Sequence, residues 1–338
     1  MKKVHATATP NIALIKYWGN RNNELRLPAA DSLSMTLDRP SLTLSLEESD
    51  QFSLTSFLNG EKKDLKPEDQ RRFEHMINLS RRYLQNLGYK KPFPRSFSLE
   101  IQSAIPPRIG LASSAAVFAA FAKALSTFAE PERALTDAEI SVLARFGSGS
   151  AARSIFGGFA MMHAGSSDDM ASAFASQIAN EQHWPLHDII IAPSHDEKKV
   201  GSTEGHALAQ TSAHFKERIK QIPRRMKECT DAILKKDFEK LQHMSEEDAL
   251  DMHHVMETST PSLQYLTDET HRIIKEIEDL RSTDHLEVLY TVDAGPTVHL
   301  ICTDAARPTI IDYAKSKQEK GCTVFKTQIG QGAITIHQ

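Results

Sequence analysis

Cysteine is scarce in this chain. Only Cys229, Cys302 and Cys322 occur in 338 residues, far apart and without a CxxC pair. That spacing argues against a disulfide framework or a thiolate zinc site, and for buried or free thiols in a reducing compartment. An excess of positive charge is also lacking. The formal net charge is −4, so no global basic field points to nucleic acid. Anionic small molecules must instead be met by local basic residues or helix ends. No apolar run is long enough to span a bilayer. The N-terminus "MKKVHATATP" has basic residues but no apolar core of a signal peptide, so a cytoplasmic location is the expectation. Repeats, low-complexity tracts and the GxxxxGK[ST] phosphate loop are missing too.

What is present is an ordinary globular composition, 40% hydrophobic and 25% charged, over a length that suits one large or two modest domains. Strand character runs from about Lys3 to Trp18, through "SLTLSLEE" and "QFSLTSFL", and again in "SFSLEIQS". Leu42, Leu44 and Leu46 alternate with Ser41, Thr43 and Ser45 at the period of a half-buried strand. Asn59-Gly60 predicts a hairpin turn. Helices are expected over Pro67 to Leu87, after Ser113 or Ser114 as N-cap, and over "DAEISVLARFG". The second half is helix-rich, with periodic segments at about Glu204 to Gln221, Arg224 to Lys235, Phe238 to Thr258 and Pro261 to Leu280. Strands "LEVLYTVDAG" and "TVHLICT", a helix near Ala306 to Lys320, and strands "CTVFKTQ" and "AITIHQ" close the chain. The mixture reads as α+β with two domains, 1–187 and 188–338.

Four stretches carry chemistry. In "PNIALIKYWGNRNN", Lys16 sits among Ile12, Leu14, Ile15, Tyr17 and Trp18, where a charge is costly without a partner. "GLASSAA" is a glycine turn leading into a helix, either an ordinary capped helix or a cradle for phosphate at a helix N-terminus. "GSGSAARS" repeats the theme. Arg153 lies three residues after Ser150, on one face if helical, as a surface arginine or a bidentate grip on a carboxylate or phosphate. In "YTVDAGPTVHL", Asp293 ends an apolar strand, as a turn former or as the counter-charge to Lys16. Adjacent His253 and His254 point apart on a helix, one packed and one polar, and no metal site is read from them. Ser202 and Thr203 in "VGSTEG" either cap a helix or meet an anionic substrate. Asp31, Ser32 and Ser34 sit in a polar turn of unassigned role.

Taken together and in order, "NIALIKYWG", "PPRIGLASSAA", "GSGSAARSIFGGF", "VGSTEG" and "DAGPTVH" resemble the mevalonate diphosphate decarboxylase family of the GHMP kinase superfamily. The resemblance implies a ribosomal-S5-like N-terminal domain and a ferredoxin-like C-terminal domain, with the active site in the cleft between them. It implies ATP-dependent decarboxylation of a phosphorylated mevalonate in isoprenoid biosynthesis, with Mg2+ travelling on ATP near Ser113 or Ser114 and no dedicated protein metal site. Lys16, Arg153 and Asp293 would be the catalytic trio. Pro107, Gly110, Leu111, Ala112, Ser113 and Ser114 would hold ATP. Tyr17, Asn20, Ser148, Gly149, Ser150 and Ser202 would hold the substrate. A homodimer is implied as well.

One departure bears on the substrate. The family usually reads "KYWGK", whose second lysine neutralises the outer phosphate of a diphosphate; here that position is Asn20. A neutral side chain suits a single phosphate, so the expectation is mevalonate 5-phosphate, giving isopentenyl phosphate. Arg21 is the counter-argument, since it would restore the charge if it reached across. Thr297 replaces the asparagine common after "DAGP". The alternatives are a decarboxylase of the 5-diphosphate, a kinase that stops at the 3-phosphate, and a non-catalytic sensor of ATP and a phosphorylated metabolite.

Overall fold

A computed structural model describes residues 2–90, 93–105, 112–129, 134–193 and 201–336, without the side chains of Ser202 and Thr203. Among these, three larger sheets and one two-stranded ribbon are surrounded by helices. The first sheet has six strands in the order Ile334–Ile336, Lys3–Ala8, Leu42–Ser49, Ser96–Ser103, Ser53–Leu58 and Glu61–Lys62. Leu42, Leu44 and Leu46 are buried while Thr43 and Ser45 are only half-buried, the alternation that a one-sided sheet requires. Asn59 and Gly60, at φ +50° and +85°, join the last two strands as a hairpin. Both residues need the left-handed region there, which is why Asn-Gly suits the turn.

The second sheet runs Phe174–Ala179, Phe159–His163, Ser32–Thr36 and Asn11–Ile15, and the third Val288–Val292, Val298–Cys302, His187–Ala192 and Thr323–Gln328. His187–Ala192 is buried throughout, and its run of isoleucines suits a central strand covered on both faces. The chain's last described strand returns to the first, pairing His5 with Ile336 and Thr7 with Ile334.

Several elements differ from the sequence reading, each for a local reason. The stretch from Lys3 to Trp18 is two strands in different sheets, broken at Thr9-Pro10, because proline cannot donate to a ladder. Ser32 and Ser34 lie in a strand and not in a turn. The first helix of the serine loop, Ser113–Ser126, is preceded by Ala112 at φ +41°, with no side-chain cap, so neither Ser113 nor Ser114 is the N-cap. Where helices were expected over Glu204 to Gln221 and Arg224 to Lys235, a short helix, Ser202–Leu208, is followed by one helix, Phe215–Lys235, that passes through Pro223. Its buried face of Ile222, Met226, Cys229 and Ile233 outweighs the one hydrogen bond that proline forfeits. The helix expected from Pro261 begins at Asp268, where Thr267 accepts a hydrogen bond from the Thr270 amide and sets the start.

The antiparallel helix pair Phe215–Lys235 and Phe238–Glu257 matters most for function. Both helices contact the strand Asn11–Ile15, and the second also packs on Val288–Val292. The helices therefore fix the end of an early strand against the end of a late one. Lys16 follows the first strand and Asp293 follows the second.

Candidate active site

The ends of those two strands open into a cleft of about 520 Å3, within the roughly 300–1,000 Å3 typical of small-molecule sites. Lys16 Nζ donates to Asp293 Oδ1 at 2.7 Å. The lysine side chain is 1% exposed and the carboxylate 28%, so the carboxylate is the member that faces the cleft. Burial pulls the Lys16 pKa below its ordinary value, and Asp293 opposes that pull. The neighbouring His253, buried on its helix, donates from Nε2 to the Asp293 carbonyl at 3.2 Å. Burial and the charge of Lys16 push its pKa down to about 4, so it is a neutral donor. His254 stacks edge-on against His214 instead, with centroids 4.5 Å apart.

Sequence reasoning missed what holds Lys16 in place. Its backbone amide donates to Asp248 Oδ2 at 2.6 Å, and its carbonyl accepts from Arg218 Nη2 at 3.3 Å. Arg218 and Asp248 are both fully buried and lie 3.0 Å apart, with Arg225 at 3.2 Å from the same carboxylate. Asp251 joins both arginines. The periodic charges of Arg218, Arg225, Asp248 and Asp251 on two amphipathic helices were the available signal, but charges on helices are commonly solvated.

Arg153 is buried at the other side of the trio. Nη1 donates to Ser32 Oγ at 2.5 Å and Nη2 to Asn11 Oδ1 at 3.3 Å. Burial brings its pKa down to about 10, still protonated at neutral pH. It lies on a 3-10 turn, Gly149–Ile155, where residues three apart share a face, so Ser150 and Arg153 align as read. Ser114, Ser148 and Ser150 form a row of hydroxyls, 3.2 and 3.3 Å between successive oxygens. A Cβ on Gly149 would stand 2.4 Å from the Tyr17 ring, so only glycine lets that ring close on the serine turn.

The cleft thus gathers Lys16, Tyr17, Ser148, Gly149, Ser150, Arg153, Asp293, Ala112, Ser113 and Ser114. Pro107, Gly110 and Leu111 lie outside the described residues, as does the side chain of Ser202. Asn20 is not part of the cleft wall. It is buried, accepts from the Tyr17 hydroxyl and donates to Asn23 Oδ1 at 3.0 Å. Arg21 turns away as well. It donates to the carbonyls of Pro28, Ala164 and Ser167 and to Ser172 Oγ, at 2.6 to 3.0 Å. Several lining residues were not anticipated, among them Arg26, Asp69, Arg72 and His206. Arg72 donates from Nε to the Gly147 carbonyl at 2.8 Å and stacks over Phe118. Burial lowers its pKa to about 9.

A smaller pocket of about 180 Å3 adjoins this cleft and shares Asp69, Arg72, Ser113 and Ser114 with it. Leu54, Phe57, Phe73, Ile101, Val117 and Phe118 make its far wall apolar. The two together offer a pocket with one apolar wall leading to a row of hydroxyls and then to a lysine–aspartate pair. Such an arrangement can seat a nucleotide base, its phosphates and a hydroxyl acceptor in sequence.

Comparison with known proteins agrees. Residues 8–175 match the family model for the diphosphomevalonate decarboxylase-like N-terminal domain, and residues 189–332 match that of the mevalonate 5-diphosphate decarboxylase C-terminal domain. The diphosphomevalonate decarboxylase of Candida albicans is 34% identical over 98% of this chain and 89% of its own length. That of Bos taurus is 34% identical over 89% of this chain and 77% of its own. The crystal structure of mevalonate diphosphate decarboxylase from Staphylococcus aureus superposes with a TM-score of 0.85 at 30% identity, over 99% of this chain and 98% of that one. A structure described as MDDEF in complex with MVAPP, AMPPCP and magnesium also gives 0.85, at 28% identity over 99% of both chains. These are GHMP-kinase-fold proteins, and the two-domain α+β architecture read from the sequence is the one observed. The chain belongs to the diphosphomevalonate decarboxylase family.

Proposed function

We propose that this protein is an ATP-dependent carboxy-lyase that converts mevalonate 5-diphosphate to isopentenyl diphosphate, ADP, phosphate and CO2. The observation that carries the reaction type is the Lys16–Asp293 pair facing one cleft with Arg153. The level of substrate phosphorylation leans on the relatives, which are named for the diphosphate. It leans also on a cleft in which Lys16, Arg26, Arg72 and Arg153 outnumber Asp69 and Asp293.

The chemistry proceeds in two stages. The tertiary 3-hydroxyl attacks the γ-phosphorus of ATP while the Asp293 carboxylate accepts its proton, and ADP departs. Lys16 keeps that carboxylate oriented and places positive charge beside the transferring phosphoryl group, the kind of electrostatic positioning on which phosphoryl transfer depends. The C3–O bond then breaks with loss of phosphate. The bond to the carboxylate breaks as well, its electron pair forming the alkene and CO2 leaving. Arg153, immobilised by Ser32 and Asn11, orients that carboxylate. The apolar-walled pocket receives the adenine, and Ala112, Ser113 and Ser114 lead the phosphates towards Lys16. Pro107, Gly110 and Leu111 would complete that loop. Asp69 and the hydroxyls of Ser113 and Ser114 are hard oxygen ligands that would hold an Mg2+ arriving with ATP, which would neutralise charge at the phosphate oxygens. Tyr17, Ser148, Gly149, Ser150 and Ser202 would line the substrate.

A second reading takes mevalonate 5-phosphate and makes isopentenyl phosphate. The neutral Asn20 is the observation in its favour. Incubation of the enzyme with ATP, Mg2+ and each substrate, with CO2 release and mass spectrometry of the product, separates the two. Release of CO2 from neither substrate would defeat both. We further place the division between the two domains at 187/188, and take a cytoplasmic homodimer as the working form, on family resemblance; light scattering measures the assembly.

A further inference from the structure

The turn joining the short strands Asn20–Asn22 and Leu27–Pro28 ends on Arg26, which holds φ +49°. That left-handed conformation strains any residue with a Cβ, and such strain persists where the surroundings dictate it. The side chain lines the cleft. Every other cation there has an oxygen partner. Lys16 has Asp293, Arg153 has Ser32 and Asn11, and Arg72 has the Gly147 carbonyl. Among the described residues, no hydrogen bond or ion pair engages the Arg26 guanidinium.

The cleft has two poles. The charges of Lys16, Asp293 and Arg153 act on one another. The charge of Arg26 acts on Tyr17, Arg72 and His206. His206 lies against the rings of Tyr17 and Trp18, centroids 4.3 and 4.6 Å away. Its Nδ1 accepts from the Gly19 amide at 2.9 Å, which places the ring proton on Nε2. Burial pushes its pKa down to about 3, so the ring is a neutral donor.

The reacting carbon of the substrate must sit at the Lys16–Asp293 pole, so its phosphorylated tail extends elsewhere. Asn20 cannot supply charge for that tail, and its side chain is held by Tyr17 and Asn23. Arg21 is committed to four oxygens outside the cleft. We infer that the Arg26 guanidinium, with His206 lining the same cleft, binds the outer phosphate of the 5-diphosphate and sets the preference for diphosphate over monophosphate. A guanidinium with a vacant fork suits a terminal phosphate, which it grips bidentately. This assignment rests on the reading that the diphosphate is the substrate.

The test is steady-state kinetics of the full chain with both substrates, for the wild type, R26G and R26K. Glycine adopts φ +49° freely. R26G therefore keeps or raises the melting temperature, which separates binding from folding. Loss of a charged hydrogen bond predicts that its KM for the diphosphate rises about 10- to 100-fold. KM for the monophosphate and kcat change less than about threefold, below half a tenfold step in binding. R26K recovers part of the loss. An R26G enzyme with unchanged KM for the diphosphate, or with KM raised equally for both substrates, overturns the role of Arg26 while leaving the diphosphate reading intact. A wild type that prefers the monophosphate overturns the diphosphate reading, and the Arg26 assignment falls with it.

Discussion

Lys16 Nζ and Asp293 Oδ1 meet at 2.7 Å although 277 residues separate them. The pair explains how a lysine survives in a strand end enclosed by apolar side chains. It also leaves the carboxylate as the exposed member, where a hydroxyl proton can be taken.

Asp293→Asn removes the proposed proton acceptor but keeps the shape of the side chain. Turnover is expected to fall by about 10^2- to 10^4-fold, the usual worth of a positioned general base. Isothermal titration should still show substrate and nucleotide binding within a few-fold of wild type. An Asp293→Asn enzyme that turns over normally would remove Asp293 from the mechanism.

Asp248 holds the backbone amide of Lys16, and in the proposed mechanism it would act through that contact. Asp248→Asn removes the fully buried carboxylate that Arg218 and Arg225 share and leaves the partly exposed Asp251 as their common counter-charge, and weakening such a network costs up to about 3–5 kcal/mol. The melting temperature should drop accordingly. At temperatures where the variant remains folded, kcat should fall while the KM for ATP holds, because the strand end carrying Lys16 is no longer clamped. Unchanged stability together with unchanged kcat would show that the clamp has no such role.

Two histidines make stability depend on pH in a predictable direction. His206 and His253 have folded pKa values of about 3 and about 4, below the ordinary 6.5. The unfolded chain therefore binds protons that the folded protein refuses. Their contribution is fully present above pH 6.5. It is lost progressively as pH falls from 6.5 towards the folded values, at up to about 1.4 kcal/mol per pH unit for each ring. Denaturant titrations at pH 7, 6 and 5 should give falling unfolding free energies, with a shallower fall in His253→Gln. Identical slopes for that variant and wild type would contradict the assignment.

Gly149→Ala tests the contact between the serine turn and Tyr17. A Cβ there would meet the ring at 2.4 Å, so the ring or the turn must move. Because Tyr17 and Ser150 both line the cleft, KM for the mevalonate substrate should rise about tenfold, a change of roughly 1.4 kcal/mol. KM for ATP should change less. Parallel changes in both values would place the turn against the nucleotide instead.

Much of this was legible in the chain itself. A lysine in an apolar strand demands a partner, an alternation of leucine with serine and threonine demands a half-buried strand, and glycine-serine turns before helices offer amides and hydroxyls. Those signals are local, set by side-chain chemistry and by periods of two or 3.6 residues. They located the catalytic candidates and the two-domain α+β fold. They did not reveal where a polar side chain would point. Asn20 and Arg21 read as the residues that decide the substrate, yet both are spent on neighbouring protein oxygens. Arg26, in an unremarked turn, faces the cleft with its fork open. Pro223 read as a break, and packing of the buried helix face carried the helix through it. The Asp248–Arg218–Arg225 clamp joins residues more than 200 positions from Lys16, and no local period encodes such a meeting. The sequence by itself determined the family and named the candidate residues for its chemistry. Only the tertiary structure decided which charges are engaged by the protein and which stand open in the cleft, because that depends on which distant backbone and side-chain oxygens folding brings within 3 Å or so of each donor.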